Sequence, residues 1–247
     1  MIKKDIKFNK YQKRGAYHWQ QISLSIFNYN AFVSARYNQV VDEVFGTKKS
    51  KILDIGCGEG VLIYLMFKKT KSAITGIDTD QLSLDFAKNK LKSLKVKAKL
   101  KTASAYKLPF KNNAFDLVVS AEVVEHLTDI KKYLTQIKKV LKPNGQLIIT
   151  TPVKLGSIPE DKMHVKEFTP KELKVLLSRY FDKVTIKTSH PLWLKKLYLF
   201  RLFKFNRFYF EPFRLLINFF VLLTNLNPFK LELSQPTNQI AICQKPL

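Results

Sequence analysis

Apolar and polar positions follow two alternating periods along most of the chain. Residues 30–46 repeat apolar positions at helical spacing, and "SKILDIG" then forms a short apolar run that stops at a glycine. Further helical patterns occur in "VLIYLMFKK", "DQLSLDFAKNKLKSL", "IKKYLTQIKKVLKPNG" and "KELKVLLSRYF". Extended patterns occur in "SAITGID", "VKAKLKT", "FDLVVS", "QLIITTP", "KVTIKTS" and "QIAICQK". Strands that alternate with helices predict an α/β fold with a mostly parallel sheet and helices on both faces.

The segment before the last strand departs from this alternation. Residues 191–229 are almost continuously aromatic, aliphatic and basic, and Pro212 divides them into two apolar stretches. Each stretch is shorter than the ~20 residues that span a bilayer. Drawn as helices, they gather Lys196, Lys204, Arg207 and Arg214 on one side. This pattern predicts an interfacial helical insertion with basic anchors, in contact with a membrane or with a lipid-like acceptor. The alternatives are a lid buried against the sheet or a dimer contact, and nucleic-acid binding is less favoured.

Length and composition bound the organisation of the chain. Its 247 residues, 46% of them hydrophobic, predict a single core with additions. We expect an N-terminal helical cap at 1–47, a main domain at 48–189 and 237–247, and a hydrophobic and basic insertion at 190–236. Cys57 and Cys243 stand far apart, outside the spacings of a disulfide framework or a thiolate zinc site.

The distribution of charged residues bears on where the protein is located and on what it binds. The charged N-terminus lacks the apolar run of a signal peptide, which predicts a cytoplasmic protein, with peripheral contact at the inner face of the membrane as a further expectation. A formal net charge of +24 favours a polyanionic partner, either nucleic acid or an anionic membrane surface. Lysines spread over a solvated surface would give the same number, so charge alone names no partner.

The stretch "LDIGCGEG" is the first chemical signal. A strand ending in Asp54 runs into Gly56, Gly58 and Gly60, which allow a tight turn and the close approach of a ligand. Asp78 ends the next strand, where a carboxylate can accept both hydroxyls of a ribose. Together they predict an adenosine-containing ligand. A nicotinamide dinucleotide normally uses GxGxxG without a preceding acid, whereas this pattern is DxGxGxG.

A family resemblance follows from several motifs together. "ILDIGCGEG", "GIDTD", "LPFKNNAFDLVVS", "VLKPNGQLIITTP" and "HVKEFTPKEL" resemble the class I S-adenosylmethionine-dependent methyltransferases. The resemblance implies a Rossmann-like sheet of seven strands whose last strand is antiparallel. It also implies that the glycine loop wraps the methionine part of S-adenosylmethionine, that Asp78 and Thr79 hold the ribose, and that Ser104 and Ala105 line the adenine. The family usually has an aspartate where this chain has Ser104.

The stretch "SAEVVEHLTD" places ionisable groups at the end of a buried strand. If a helix follows directly, Glu122, Glu125 and His126 project from one face. His164 lies after the next strand of the sheet, at the same edge. Oxygen and imidazole ligands suit a divalent cation such as Mg²⁺ or Zn²⁺. The pattern resembles two metal-assisted branches of the family, the O-methyltransferases of quinone biosynthesis and the enzymes that 2′-O-methylate small RNAs.

Alternatives remain open for these residues and for the function. His126 and His164 are the candidate catalytic residues, and His126 can act as a general base without metal or simply pack. Tyr17, His18 and Trp19 either cover the cofactor or acceptor or belong to the core, and the core is the favoured interpretation. We predict O-methylation of an apolar or amphiphilic small molecule. An RNA 2′-O-methyltransferase and a non-catalytic, cofactor-binding membrane subunit are the alternatives.

Overall fold

Helices and strands alternate along the residues that the structure describes. In this computed structural model these are 17–45, 51–159, 161–205 and 208–246. The helices are α1 (Tyr17–Gln21), α2 (Ala31–Phe45), α3 (Val61–Thr70), α4 (Gln81–Ser93), α5 (Ile130–Val140), α6 (Pro170–Leu177), α7 (Leu192–Tyr198) and α8 (Pro212–Thr224). The strands are β1 (Lys51–Ile55), β2 (Ala73–Asp78), β3 (Ala98–Thr102), β4 (Phe115–Ala121), β5 (Leu141–Pro152), β6 (Lys183–Pro191), β7 (Phe203–Phe205), β8 (Phe208–Phe210) and β9 (Pro236–Gln244). Short 3₁₀ turns cover Val124–His126 and Pro228–Lys230.

Seven strands form one sheet in the order β3-β2-β1-β4-β5-β9-β6. The strands from β3 to β5 are parallel, whereas β9 runs antiparallel to both β5 and β6, between which it lies. The predicted fold class is therefore confirmed, including the direction of the last strand. The strand order reverses between β1 and β4, and ligands of such sheets bind outside the carboxyl ends at this point.

The two faces of the sheet bury separate apolar layers. Because side chains alternate along a strand, Ile52 and Leu53 of β1 enter different layers. Leu53 packs with residues of α5 and α6, including Ile137 and Leu177. Ile52 packs with residues of α2, α3 and α4 on the opposite face. The predicted three-layer arrangement thus follows from near-continuous apolar strands covered on both sides.

One predicted helix ends earlier than expected. The helical pattern in "IKKYLTQIKKVLKPNG" stops at Val140, and Leu141–Pro152 forms a single long strand. Leu141 pairs with Phe115 of β4, and the register then shifts before Leu117. Pro143 disfavours a helical conformation at the residue before it, so the sequence around it joins the sheet instead.

The insertion also differs from its prediction. α7 covers only Leu192–Tyr198, β7 and β8 form an antiparallel hairpin, and α8 begins at Pro212. The prediction that Lys196, Lys204, Arg207 and Arg214 share one helical face is wrong, because Lys204 lies on a strand; Arg207 lies outside the described residues. A third apolar cluster joins the insertion to α2. It contains Tyr198 of α7, Val221 of α8 and Phe229 of the 3₁₀ turn at Pro228–Lys230.

Two further predictions concern the N-terminal cap and the apolar segments. The predicted cap at 1–47 contains α1 and α2 at residues 17–45, and the rest of that range lies outside the described residues. In the part of the chain that the structure describes, every helix is too short or too polar to cross a bilayer.

Candidate active site

A cleft of ≈ 960 Å³ opens at the carboxyl edge of the sheet. It is lined from the main domain by most of the predicted site residues, which are Asp54, Gly56, Gly58, Asp78, Thr79, Ser104, Ala105, Glu122, Glu125, His126 and His164. The cap contributes Tyr17, His18, Arg36 and Tyr37, and α7 contributes Lys195. The fold therefore brings residues from distant parts of the sequence into one enclosure.

The glycine loop connects β1 to α3 through three left-handed residues. Gly56, Gly58 and Gly60 have φ angles of 74°, 49° and 78°. A Cβ atom at Gly56 would lie 2.5 Å from the Val123 Cγ2 atom, so this position has room for glycine alone. A Cβ atom at Gly60 would lie 3.1 Å from the Ala87 Cβ atom, which shows that Gly60 serves the packing of α4 against the loop.

Asp78 links the loop to the end of β2. Its Oδ2 atom accepts a hydrogen bond from the Gly58 N–H at 2.9 Å, and its Oδ1 atom accepts one from the Asp80 N–H at 2.9 Å. Burial raises the pKa of Asp78, and the two backbone N–H groups act in the opposite direction. The carboxylate is thus fixed beside the loop, at the cleft wall.

Asp54 is buried behind the same loop. Its Oδ2 atom has no hydrogen-bond partner among the described residues. Burial, followed by the negative charge of Asp78, raises the pKa of Asp54 well above its ordinary value. A buried carboxylate oxygen without a partner is costly, and a cationic or hydrogen-bond-donating group of a ligand would offset that cost.

The loop after β3 forms the wall of the cleft next to Asp78. The Ala103 N–H donates to the Asp78 carbonyl oxygen at 3.0 Å, which ties the loop to the end of β2. The Ser104 side chain accepts from the Tyr106 N–H at 3.2 Å, so its hydroxyl oxygen shapes the turn. Ser104 and Ala105 both line the cleft, where the resemblance expected an adenine ring.

A 3₁₀ turn, and no helix, follows β4. The prediction that a helix presents Glu122, Glu125 and His126 on one face is wrong. Glu122 adopts a left-handed φ of 56° and its N–H donates to the Thr150 carbonyl oxygen at 3.0 Å, which bends the chain before the turn. The Glu122 carboxylate forms an ion pair with the Arg36 guanidinium of α2.

Glu125, His126 and His164 form a compact cluster at the cleft. One potential ligand atom from each lies within 4.8 Å of those of the other two, and Glu122 lies outside this cluster. Glu125 is fully buried; its Oε2 atom accepts from the Thr151 hydroxyl at 3.1 Å, and its Oε1 atom has no partner within the described residues. Burial, then the negative charge of Glu122, raises the pKa of Glu125 well above its ordinary value.

Hydrogen bonds orient both imidazoles of the cluster. The His126 Nδ1 atom lies 2.9 Å from the Met163 carbonyl oxygen, and the His164 Nδ1 atom lies 2.6 Å from a carboxylate oxygen of Glu167. Because both partners accept, each Nδ1 carries the proton of the neutral ring and each lone pair resides on Nε2. Metal-binding histidines typically have such a partner behind them. Sequence reasoning missed Glu167, although its spacing of three residues from His164 was visible.

The helix α1 rests on the glycine loop. Glu59 accepts from the His18 backbone N–H at 3.2 Å and lies 3.2 Å from the His18 ring, and its carbonyl oxygen accepts from the Trp19 indole at 2.9 Å. Tyr17 and His18 line the cleft, and Trp19 packs partly against the core. The favoured core interpretation therefore holds in part for Trp19 and is wrong for Tyr17 and His18. Glu59, which joins them to the loop, was not singled out from the sequence.

The fold and this cleft define a class I S-adenosylmethionine-dependent methyltransferase domain. A family model described as a methyltransferase domain matches residues 46–199, more than half of the chain. The chain therefore belongs to the methyltransferase domain family, as its motifs predicted.

Individual relatives agree with this assignment. The ubiquinone biosynthesis O-methyltransferase of Bartonella tribocorum is 30% identical over 162 residues, covering 58% of this chain and 65% of that protein. The chloroplastic tocopherol O-methyltransferase of Arabidopsis thaliana is 33% identical over 120 residues, covering 48% of this chain and 34% of that protein. The matched regions thus span less than two thirds of these relatives.

A solved structure shows the same fold at low sequence identity. The phosphoethanolamine N-methyltransferase 2 of Haemonchus contortus, determined with phosphomonomethylethanolamine and S-adenosylhomocysteine, superimposes with a TM-score of 0.68 at 20% identity. The match covers 97% of this chain and 60% of that chain. The likeness at this identity shows a shared fold.

Proposed function

We propose that this protein transfers a methyl group from S-adenosylmethionine to an oxygen of an apolar or amphiphilic small molecule, with a divalent cation at Glu125, His126 and His164. The observation that carries the proposal is that these three side chains line the same cleft as the glycine loop. The names of the two relatives, both O-methyltransferases, support oxygen as the target.

The cofactor half of the cleft fits S-adenosylmethionine. The cofactor supplies a methyl group on a sulfonium, which is a good leaving group and needs little covalent assistance. In this proposal the loop at Gly56 and Gly58 holds the amino-acid part, whose ammonium offsets the cost of the buried Asp54. Asp78 and Thr79 bind the ribose hydroxyls, and Ser104 and Ala105 border the adenine. The protein's role is to bind and orient, and to exclude water from the transfer.

The acceptor half of the cleft suits a divalent cation. Two imidazoles and one carboxylate form a donor set that favours Zn²⁺ over Mg²⁺, because Mg²⁺ prefers oxygen ligands alone. A bound cation would lower the pKa of an acceptor hydroxyl. Glu167 and the Met163 carbonyl would hold the two imidazoles in the tautomer that presents Nε2. The cation would also stabilise the ionised form of Glu125, which burial otherwise disfavours.

The walls of the cleft favour an acceptor with apolar surface. They include the side chains of Phe32, Val33, Leu127, Val153, Leu155 and Met163. Burial of apolar acceptor surface against these side chains would stabilise the complex. Molecules of this kind concentrate in bilayers, so we propose that the protein is peripheral at an anionic membrane surface. A small molecule is a better candidate substrate than nucleic acid.

The test measures metal dependence and methyl transfer separately. Metal-stripped protein receives Mg²⁺, Mn²⁺ or Zn²⁺, and transfer of labelled methyl to a short-chain alkylcatechol, whose adjacent hydroxyls chelate divalent ions, is recorded. We expect that chelator abolishes transfer, that Zn²⁺ restores it, and that calorimetry finds S-adenosylmethionine binding unchanged throughout. His164→Ala should lose both metal and transfer. The control, Glu43→Gln, changes a carboxylate paired with Lys187 on the surface and should behave as wild type.

Other outcomes would point elsewhere. Full transfer by metal-stripped protein would remove the metal role and leave His126 as a general base. Transfer to the 3′ ends of small RNAs, without transfer to catechols, would replace the small-molecule proposal. Cofactor binding without transfer to catechols, lipid extracts or RNA would support a non-catalytic subunit.

A further inference from the structure

The outer face of α8 is apolar and exposed. Leu216, Phe219, Phe220 and Leu223 recur at the spacing of one helical face, and their exposed fractions are 63%, 56%, 45% and 70%. The opposite face of the same helix is buried and includes Asn218 at 0% exposure. The inner face thus buries Asn218 beside the apolar Val221, whereas four large apolar side chains of the same helix face outward.

The exposed apolar surface continues from α8 onto its neighbours. The Phe200 and Phe213 rings lie 5.8 Å apart and join the end of α7 to the start of α8, and the Phe203 and Phe210 rings lie 5.2 Å apart across the hairpin. We call the combined exposed side chains the docking surface, which consists of Trp193, Leu199, Phe200, Leu202, Phe203, Tyr209, Phe210, Phe213, Leu216, Phe219, Phe220, Leu223 and Leu226. A surface of this size exceeds the isolated apolar side chains that proteins normally expose.

Buried hydrogen bonds hold the docking surface in place. The Asn218 Oδ1 atom accepts from the Tyr198 hydroxyl at 2.7 Å, and its Nδ2 group donates to the carbonyl oxygens of Ile26 and Tyr29 at 2.9 and 2.8 Å. Tyr198 also accepts from the Ala31 N–H at 2.9 Å, at the start of α2. Because the inner side of α8 is specifically fixed to the cap, its apolar outer side is a defined feature of the folded protein.

Cationic side chains accompany the docking surface. Lys196 on α7 and Lys204 on β7 are exposed, and the Arg201 guanidinium lies 4.2 Å from the centre of the Tyr209 ring. The whole chain carries a net charge of +24. Two copies of such a chain repel each other, whereas an anionic lipid surface attracts it over a Debye length. Aromatic side chains beside basic ones are also typical of segments that lie in a membrane interface.

We infer that the docking surface inserts into the headgroup region of an anionic lipid bilayer and sets the cleft beside it. Lys195 follows Trp193 by two positions on α7, lines the cleft, and has its Nζ atom 6.0 Å from the centre of the Phe32 ring. Leu155, on the loop after β5, lines the cleft and is 40% exposed. The delivery of an acceptor from the bilayer rests on the proposed function, but the docking itself does not.

The test compares two triple variants of the full chain. In the first, Leu216→Ser, Phe219→Ser and Leu223→Ser remove exposed apolar side chains from the docking surface. In the matched control, Leu82→Ser, Leu94→Ser and Val175→Ser remove three exposed apolar side chains from the region of α4 and from α6. Flotation is measured with vesicles of phosphatidylglycerol and phosphatidylcholine, and with phosphatidylcholine alone. Wild type and control should float with the anionic vesicles, and the first variant should bind them about 10-fold or more weakly.

Methyl transfer distinguishes a failure of docking from a failure of the proposed function. With a short-chain alkylcatechol in solution all three proteins should be equally active, whereas with a long-chain alkylcatechol in anionic vesicles the first variant should be slower. If no catechol is methylated, flotation still tests the docking alone. Equal flotation of all three proteins would overturn the inference. The inference would also be overturned if the wild-type protein is a dimer that does not bind vesicles and the first variant is a monomer. If circular dichroism shows that the triple variant is unfolded, Phe219→Ser with Leu223→Ser replaces it under the same criteria.

Discussion

Glu167→Gln tests whether the carboxylate behind His164 sets the metal affinity of the cluster. The His164 Nδ1 atom lies 2.6 Å from the Glu167 Oε1 atom, and the side chains are only 11% and 3% exposed, so water does not substitute easily for the carboxylate. Glutamine keeps the size and an acceptor oxygen but removes the negative charge that makes the imidazole a stronger ligand. Loss of such a partner typically weakens metal binding about 10–100-fold, which corresponds to about 1.4–2.7 kcal/mol.

The assay is competition for Zn²⁺ against a chelator of known affinity, with thermal unfolding of the metal-free proteins as a check on folding. We expect weaker Zn²⁺ binding by Glu167→Gln, nearly unchanged S-adenosylmethionine binding, and no change in Glu43→Gln. A Glu167→Gln protein that binds Zn²⁺ as tightly as wild type, with its fold intact, would refute the argument that this hydrogen bond prepares a metal ligand.

Three further predictions follow from the ionisable groups. Asp78→Ala should lower S-adenosylmethionine affinity about 10-fold or more by calorimetry, because hydrogen bonds to a charged group contribute ~1.5–3 kcal/mol, and unchanged affinity would contradict the ribose assignment. Because the pKa of Glu125 is raised, metal binding below that pKa must displace the proton of the Glu125 carboxyl group. The affinity for Zn²⁺ should therefore rise as the pH approaches the pKa of Glu125. Calorimetry in two buffers should detect the released proton. Burial lowers the pKa of His190 to about 3, and its Nε2 atom lies 2.9 Å from the Phe32 carbonyl oxygen. As the pH falls, the histidine of the unfolded chain therefore takes up its proton before that of the folded protein. Below pH ~6.5 the free energy of unfolding should fall by about 1.4 kcal/mol per pH unit because of this group. Urea unfolding of His190→Gln should lack this contribution to the pH dependence.

Local sequence determined most of the fold and the glycine loop that lines the cleft. The apolar periods of 3.6 and 2 residues show which segments bury one stripe and which bury two faces. They located α2 to α6 and the seven strands of the main sheet. Gly56, Gly58 and Asp78 were identifiable because left-handed turns and strand ends leave a signature within a few residues. The direction of the last strand came from the family resemblance and was confirmed by the antiparallel pairing of β9 with β5 and β6.

Tertiary structure decided how the acidic and basic residues are grouped. Glu122 and Glu125 are three residues apart, yet one pairs with Arg36 of α2 and the other lies buried beside Thr151. That separation depends on a hydrogen bond from the Glu122 N–H to Thr150 of β5. It also depends on a 3₁₀ turn whose Glu125 carbonyl accepts from the Val165 N–H in the loop after β5, and no local pattern contains these contacts. The pairing of Glu167 with His164 was within reach of sequence spacing, but its place beside the cluster with Glu125 and His126 came only from the tertiary structure.

The insertion shows the same division. Its composition was sufficient to predict an apolar and basic segment before the last strand, because hydrophobic side chains and charges are visible in any conformation. The sequence did not show that Asn218 would turn inward to bind Tyr198 and backbone carbonyls of the cap, leaving Phe219 and Leu223 exposed. A helical face is buried or exposed according to the partners that the rest of the chain offers it. Here the inner face of α8 finds hydrogen-bond partners for Asn218 and an apolar cluster for Val221.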